Sequence, residues 1–188
     1  MTARLGILLS GSGTTYANLV AAIRAGRLDA EIAVVVSSRA DAYGLERAKA
    51  FGHPCLVAKE AAAITAALRE ARAEWVAFCG WMRFYDPPAE LRGRVVNIHP
   101  SLLPAFGGKG MYSIHVHEAV LAAGATTTGC TVHLVAGAYD SGPILAQSRV
   151  PVMAGDTAES LQHRVQEAER ELYPRVIADL ITGKMLIG

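Results

Sequence analysis

The chain has 188 residues, 52% of them hydrophobic and 19% charged, which supplies a packed core and excludes a disordered chain. Lys plus Arg number 18 against 17 Asp plus Glu, a formal net charge of +1. That balance argues against a nucleic-acid-coating surface and a polybasic membrane anchor, but not against a small anion site. No apolar run approaches the roughly 20 residues of a membrane span, and the N-terminal apolar stretch is too short for a signal peptide. A cytoplasmic protein is expected.

Residues 5–9 read as a strand, and 16–27 as a helix with Leu19, Val20 and Ile23 on one face. Residues 32–36 form a continuous apolar run, as in a strand buried on both faces. A helix is expected over 41–51, with Asp41 as N-cap and Gly52 just past its end. Then follow a short strand at 55–57, an alanine-rich helix at 61–73, a strand at 75–79, a short helix at 87–91 and a strand at 95–98. This alternation predicts a doubly wound parallel α/β sheet. Residues 100–110 carry two prolines and three glycines and read as a long loop. A helix over 113–123 precedes two strands, 127–135 and 144–150, expected as an antiparallel edge. A long helix over 157–181 is expected to start at Asp156 or Thr157 and to kink or break at Pro174. There is no repeat and no linker, so residues 1–188 are expected to form one domain.

Three segments carry chemistry. Ser10-Gly11-Ser12-Gly13-Thr14-Thr15 lies between the first strand and the first helix. Its glycines let backbone approach an anion, and the helix aims free N–H groups at it. A dinucleotide loop would have glycine or alanine where Tyr16 stands, and a Walker loop would have Gly-Lys-Ser/Thr, so a phosphate monoester suits it better. Ser37-Ser38-Arg39 leaves an NADP reading open. The second segment is Asn97-Ile98-His99-Pro100-Ser101-Leu102-Leu103-Pro104, at the carboxyl end of the fifth strand. Asn97 and His99 share a face and could stabilise an oxyanion and manage a proton. The third is Asp140 in the turn Tyr139-Asp140-Ser141-Gly142-Pro143, either ordinary turn chemistry or a carboxylate that favours protonated His99. Cys55, Cys79 and Cys130 lack zinc spacing, and no metal is expected. His115 and His117 are expected on the surface, His133 without an acidic partner, and Trp75, Trp81 and Phe84 in the core, although residues 80–85 leave a strand end and could instead line a pocket.

With Gly80-Trp81-Met82-Arg83, these motifs stand in the order seen in the phosphoribosylglycinamide formyltransferases, a folate-dependent family that the chain resembles over nearly its whole length. The resemblance implies a Rossmann-like formyltransferase fold and formyl transfer from the co-substrate 10-formyltetrahydrofolate to the amine of glycinamide ribonucleotide, in purine biosynthesis. It implies a ribonucleotide site at Gly11, Ser12, Gly13, Thr14, Thr15, Pro100, Gln166 and Glu169. It implies a folate site at Met82, Arg83, Phe84, Tyr85, Val96, Asn97, Ala136, Gly137, Ala138, Tyr139 and Asp140. Asn97, His99 and Asp140 would be catalytic. Small molecules, not nucleic acid or membrane, would be the partners, with the chain a monomer or homodimer.

The chain departs from the family pattern in two places. Residues 53–74 are short and alanine-rich, leaving Lys59 and Arg69 as unmatched basic candidates for the folate, and residues 107–112 are long, as for a loop over the site. A tRNA-directed formyltransferase would add a basic C-terminal domain, and a formyltetrahydrofolate deformylase an N-terminal one. An NADP-binding oxidoreductase would leave Asn97, His99 and Asp140 without a role, and a non-catalytic module would bind without turnover.

Overall fold

A computed structural model describes residues 2–185. The elements are β1 (Ala3–Leu9), α1 (Thr14–Arg24), β2 (Ala30–Ser37), α2 (Tyr43–Phe51), β3 (Cys55–Val57), α3 (Ala61–Glu70) and β4 (Trp75–Phe78). After a 3-10 turn (Ala89–Leu91) come β5 (Val95–His99), α4 (Ile114–Ala122), β6 (Thr127–Leu134), β7 (Ile144–Pro151) and α5 (Ala158–Ile181). One seven-stranded sheet has the order β3-β2-β1-β4-β5-β6-β7. The first five strands are parallel, and β6 and β7 form the antiparallel edge.

Strand β1 sits mid-sheet and is apolar on both faces. Leu5, Ile7 and Leu9 pack with Leu19 of α1 and Tyr173 and Ile177 of α5. Leu8 packs on the other face with Val34, Ile64, Leu68 and Val76. Gly6 admits Leu68, whose Cδ2 would lie 2.4 Å from a Cβ at that position. The order reverses at β1, whose neighbours are β2 on one side and β4 on the other, so the loops leaving β1 and β4 diverge. Such a switch point opens a crevice beyond the carboxyl ends of the strands.

One capping expectation and one helix-break expectation are corrected. Asp41 does not cap α2: Ala42 holds the N-cap position without a side-chain bond, and both Asp41 oxygens accept from Arg39. The two-pronged ion pair takes the carboxylate away from the helix end. Helix α5 does not break at Pro174 but runs through it. Pro174 cannot donate to the Arg170 carbonyl four residues back, and Asn18 Nδ2 of α1 donates there instead, at 3.0 Å. At the start of α5, Thr157 forms a capping box with Ser160, and Asp156 pairs with Arg164. The buried hydroxyl of Tyr173 donates to the carbonyls of Phe78 and Val96, joining α5 to the ends of β4 and β5. Among the described residues, no helix is long and apolar enough to cross a membrane.

Candidate active site

A cleft of about 520 Å³ opens beyond β1, β4 and β5. One wall is the turn from β1 into α1, with Gly11, Ser12, Gly13, Thr14 and Thr15. Asn97, His99 and Pro100 line it from β5, Gln166 and Glu169 from α5, and residues 108–113 from the long loop. A smaller recess of about 50 Å³ lies between Arg83, Phe84 and Tyr85 on one side and residues 135–140 on the other. Trp81, Asn97, Tyr139 and Asp140 border both spaces.

The β1–α1 turn is a surface of amides. Gly13 takes a left-handed φ of 71°, and a Cβ there would sit 2.7 Å from the Cα of Gly44. The Gly44 N–H donates to the Gly11 carbonyl at 3.0 Å. Ser10 ties three loops together: its Oγ accepts from Ser38 Oγ at 2.7 Å and from the Met82 N–H at 3.0 Å. The first turn of α1 adds unpaired amides and the positive end of the helix dipole, which together suit an anion.

The opposite side is a side-chain network on β5, β6 and the following turn. Antiparallel pairing sets Asn97 across from His133. His133 Nδ1 donates to the Leu134 carbonyl, which leaves Nε2 between the Asn97 amide at 3.0 Å and the Asp140 carboxylate at 3.5 Å. Asp140 also lies 3.4 Å from His99 Nδ1 and 3.4 Å from Asn97 Nδ2, and accepts the Gly108 N–H at 2.9 Å. Its backbone is left-handed, φ 53°, a strained geometry for a non-glycine residue. His99 Nε2 donates to the Phe106 carbonyl at 2.8 Å. The loop behind is anchored by Thr131, which donates to the Ser101 carbonyl and accepts from Leu103 N–H and Gln147 Nε2.

Burial pushes the pKa of His99 below its ordinary value, and proximity to His133 adds to this; the Asp140 carboxylate and Phe106 carbonyl pull upward without cancelling it. Burial works against the charge on Asp140, but His133, His99 and the Gly108 amide outweigh it and hold that carboxyl low. Glu169, in the cleft wall, is pushed up to about 7 by burial, with Arg170 opposing. His117 falls to about 4, from burial first and proximity to His99 second.

The structure therefore brings Asn97, His99 and Asp140 together, with Gln166 and Glu169 facing the amide turn across one cleft. Other expectations need correction. Met82 lines the larger cleft rather than the small recess. Val96 lines neither, being 1% exposed with its carbonyl on Tyr173. Phe84 is not core: it is half exposed, edge-on to Tyr139 across the recess, with ring centroids 5.6 Å apart. Arg69 is paired with Glu90, and neither it nor Lys59 lines these two spaces. Arg39, the residue on which an NADP reading leaned, pairs with Asp41 outside the cleft.

Two functional candidates were missed. His133 does have an acidic partner; the antiparallel register that supplies it cannot be read from spacing. His117 is buried rather than on the surface, with its Nδ1 unpartnered, and lines the cleft. The only signal for it was its i, i+3 spacing from Val120 on the face that α4 buries. Among the described residues, no group of three or more His, Cys, Asp or Glu could hold a metal ion.

Comparison with known proteins agrees with this geometry. Residues 3–177 match the family model described as formyl transferase. The chain is 33% identical over 193 residues to phosphoribosylglycinamide formyltransferase of Haemophilus influenzae, covering 97% of this chain and 89% of that protein. It is 40% identical to a segment of the trifunctional purine biosynthetic protein adenosine-3 of Drosophila pseudoobscura pseudoobscura, covering 97% of this chain but only 14% of that much longer protein. Glycinamide ribonucleotide transformylase 1 from Symbiobacterium toebii superposes with a TM-score of 0.91 at 38% identity, over 100% of this chain and 91% of that one. Phosphoribosylglycinamide formyltransferase from Brucella melitensis superposes with a TM-score of 0.87 at 40% identity, over the whole of both chains. With the fold, the cleft and its Asn-His-Asp network in place, the match over nearly the full chain settles the family: the chain belongs to the formyl transferases.

Proposed function

We propose that the chain transfers the formyl group of 10-formyltetrahydrofolate to the amine of glycinamide ribonucleotide, residues 1–188 acting as one domain. The observation that carries this reading is the position of Asn97 and Asp140 on the border between two spaces, with His99 beside them. One space has an amide-lined end for a phosphate. The other is a narrow aromatic recess that suits a flat ring system.

In this reading the ribonucleotide phosphate lies on Gly11, Ser12, Gly13, Thr14 and Thr15, and its amine end reaches past Pro100, Gln166 and Glu169. The pterin enters between Arg83, Phe84 and Tyr85 and the turn Ala136, Gly137, Ala138, Tyr139 and Asp140, with Met82 on the larger-cleft side of the recess. The amine attacks the formyl carbon, and the carbonyl oxygen becomes an oxyanion. Asn97 donates to that oxygen from its amide, and His99 donates as it gains positive character. In the structure burial disfavours the charged imidazole, so a developing negative charge is what draws the proton onto it. Asp140 supports that charge and orients the ring. Collapse expels the folate nitrogen, which takes a proton through His99, while the attacking amine releases one to water.

The test mixes purified protein with 10-formyltetrahydrofolate, with and without glycinamide ribonucleotide, and follows folate absorbance. Change that depends strictly on the ribonucleotide is the expected result. Equal change without it would make the protein a deformylase, and none in either mixture would remove the enzymatic reading.

A further inference from the structure

The walls of the cleft leave out one basic side chain that touches its anion end from behind. Arg47, half-buried on α2, donates from Nε to the Ser12 carbonyl at 2.9 Å. Its guanidinium lies over the Tyr43 ring, 5.0 Å from the centroid, which fixes its direction. One turn earlier, the Gly44 N–H holds the Gly11 carbonyl at 3.0 Å. Gly44 and Gly13 lack side chains where these backbones meet: a Cβ on Gly13 would lie 2.7 Å from Gly44 Cα, and one on Gly44 would lie 2.7 Å from Leu9. Helix α2 thus grips two consecutive carbonyls of the turn.

A trans peptide is planar, with its C=O and N–H pointing opposite ways. Drawing the Gly11 carbonyl toward Gly44 turns the Ser12 N–H away from α2. Drawing the Ser12 carbonyl toward Arg47 does the same for the Gly13 N–H. Neither amide donates to a protein acceptor among the described residues, and Gly11, Ser12 and Gly13 all line the cleft. Without the Arg47 bond the Ser12–Gly13 peptide is free to rotate and to present its carbonyl, the repulsive end, to an anion.

We infer that Arg47 is a positioning residue for the phosphate of the substrate: it locks the Ser12–Gly13 peptide with its N–H toward the cleft. The inference rests on the proposed phosphate site but not on the formyl chemistry. Its first test therefore uses inorganic phosphate alone, titrated into the folded protein and followed by the amide resonance of Gly13. Arg47→Met removes both the donor and the charge, and Arg47→Lys keeps the charge but not the Nε donor. Phosphate binding is expected to weaken at least tenfold in Arg47→Met and severalfold in Arg47→Lys, with the Gly13 shift reduced in both. The KM for glycinamide ribonucleotide should rise in parallel, with the loss in KM rather than kcat and no change in the KM for formyl folate.

Phosphate affinity within twofold of wild type in folded Arg47→Met overturns the inference. So does full retention in Arg47→Lys, which would leave only a charge effect, and so does a wild-type protein that does not bind phosphate. If Arg47→Met does not fold, Arg47→Lys decides. Weakened phosphate binding without any ribonucleotide-dependent turnover would sink the proposed reaction and leave the role of Arg47 standing.

Discussion

The two ends of the cleft are built by different means. At the β1–α1 turn the donors are backbone amides, and the side chains at Ser12, Thr14 and Thr15 sit at or near the surface. At the β5–β6 end the donors and acceptors are side chains: His99 and His133 are at most 3% exposed, and Asp140 connects them. The first end depends on backbone path, so its weak points are the glycines and whatever orients the peptides. The second depends on removal from water, where each hydrogen bond counts for more and each missing partner costs more.

The sharpest way to break the contrast is at the side-chain end. Asn97→Ala, His99→Ala and Asp140→Ala are each expected to lower kcat about 10²–10³-fold, roughly 2.7–4 kcal/mol of barrier, while circular dichroism stays that of the folded protein. Near wild-type turnover in folded His99→Ala would mean that the oxyanion is held elsewhere. At the backbone end, Gly13→Ala should destabilise the fold by about 3 kcal/mol, combining a left-handed alanine with a Cβ driven into Gly44. Gly11→Ala meets nothing within 4 Å of its Cβ and should leave the urea midpoint nearly unchanged. Equal effects from the two glycines would erase the distinction.

A smaller effect concerns the buried imidazole beneath the side-chain end. His117 has a folded pKa of about 4, below its unfolded value, so the unfolded chain binds the proton first. Stability should then fall as pH drops through the window from about 6.5 to 4, by about 2 kcal/mol between pH 7 and pH 5. Urea melts of wild type and His117→Phe compare the two slopes, and the variant should be flatter. An unchanged slope would shift the effect to other groups.

Most of the architecture was legible because parallel α/β units announce themselves locally. Unbroken apolar runs such as Val34-Val35-Val36 mark strands covered on both faces, and Gly52 ends α2 in the left-handed geometry its position suggested. The amide turn was legible for the same reason, being contiguous in sequence. The network around Asp140 was only half legible. Asn97 and His99 share one strand, but His133 reaches them through the antiparallel register of β6, which a run of residues does not display. His117 was misplaced because a mostly apolar nine-residue helix gives little indication of which polar position turns inward. That α5 continues through Pro174 without a break was not legible, because the acceptor the proline abandons is satisfied by Asn18, far away in the sequence.

That last pairing bears on how the chain is made. Strand β1 and helix α1 leave the ribosome well before α5: Arg170, Tyr173 and Ile177, which complete their surroundings, are translated more than a hundred residues later. Until α5 emerges, the part of that sheet face that Leu172, Tyr173, Val176 and Ile177 cover is exposed apolar surface, and the carbonyls of Phe78 and Val96 lack the Tyr173 hydroxyl. The nascent chain is thus most vulnerable to aggregation and to chaperone capture just before α5 is released. A stop codon placed within α5 would cost the cell far more soluble protein than the number of residues removed suggests.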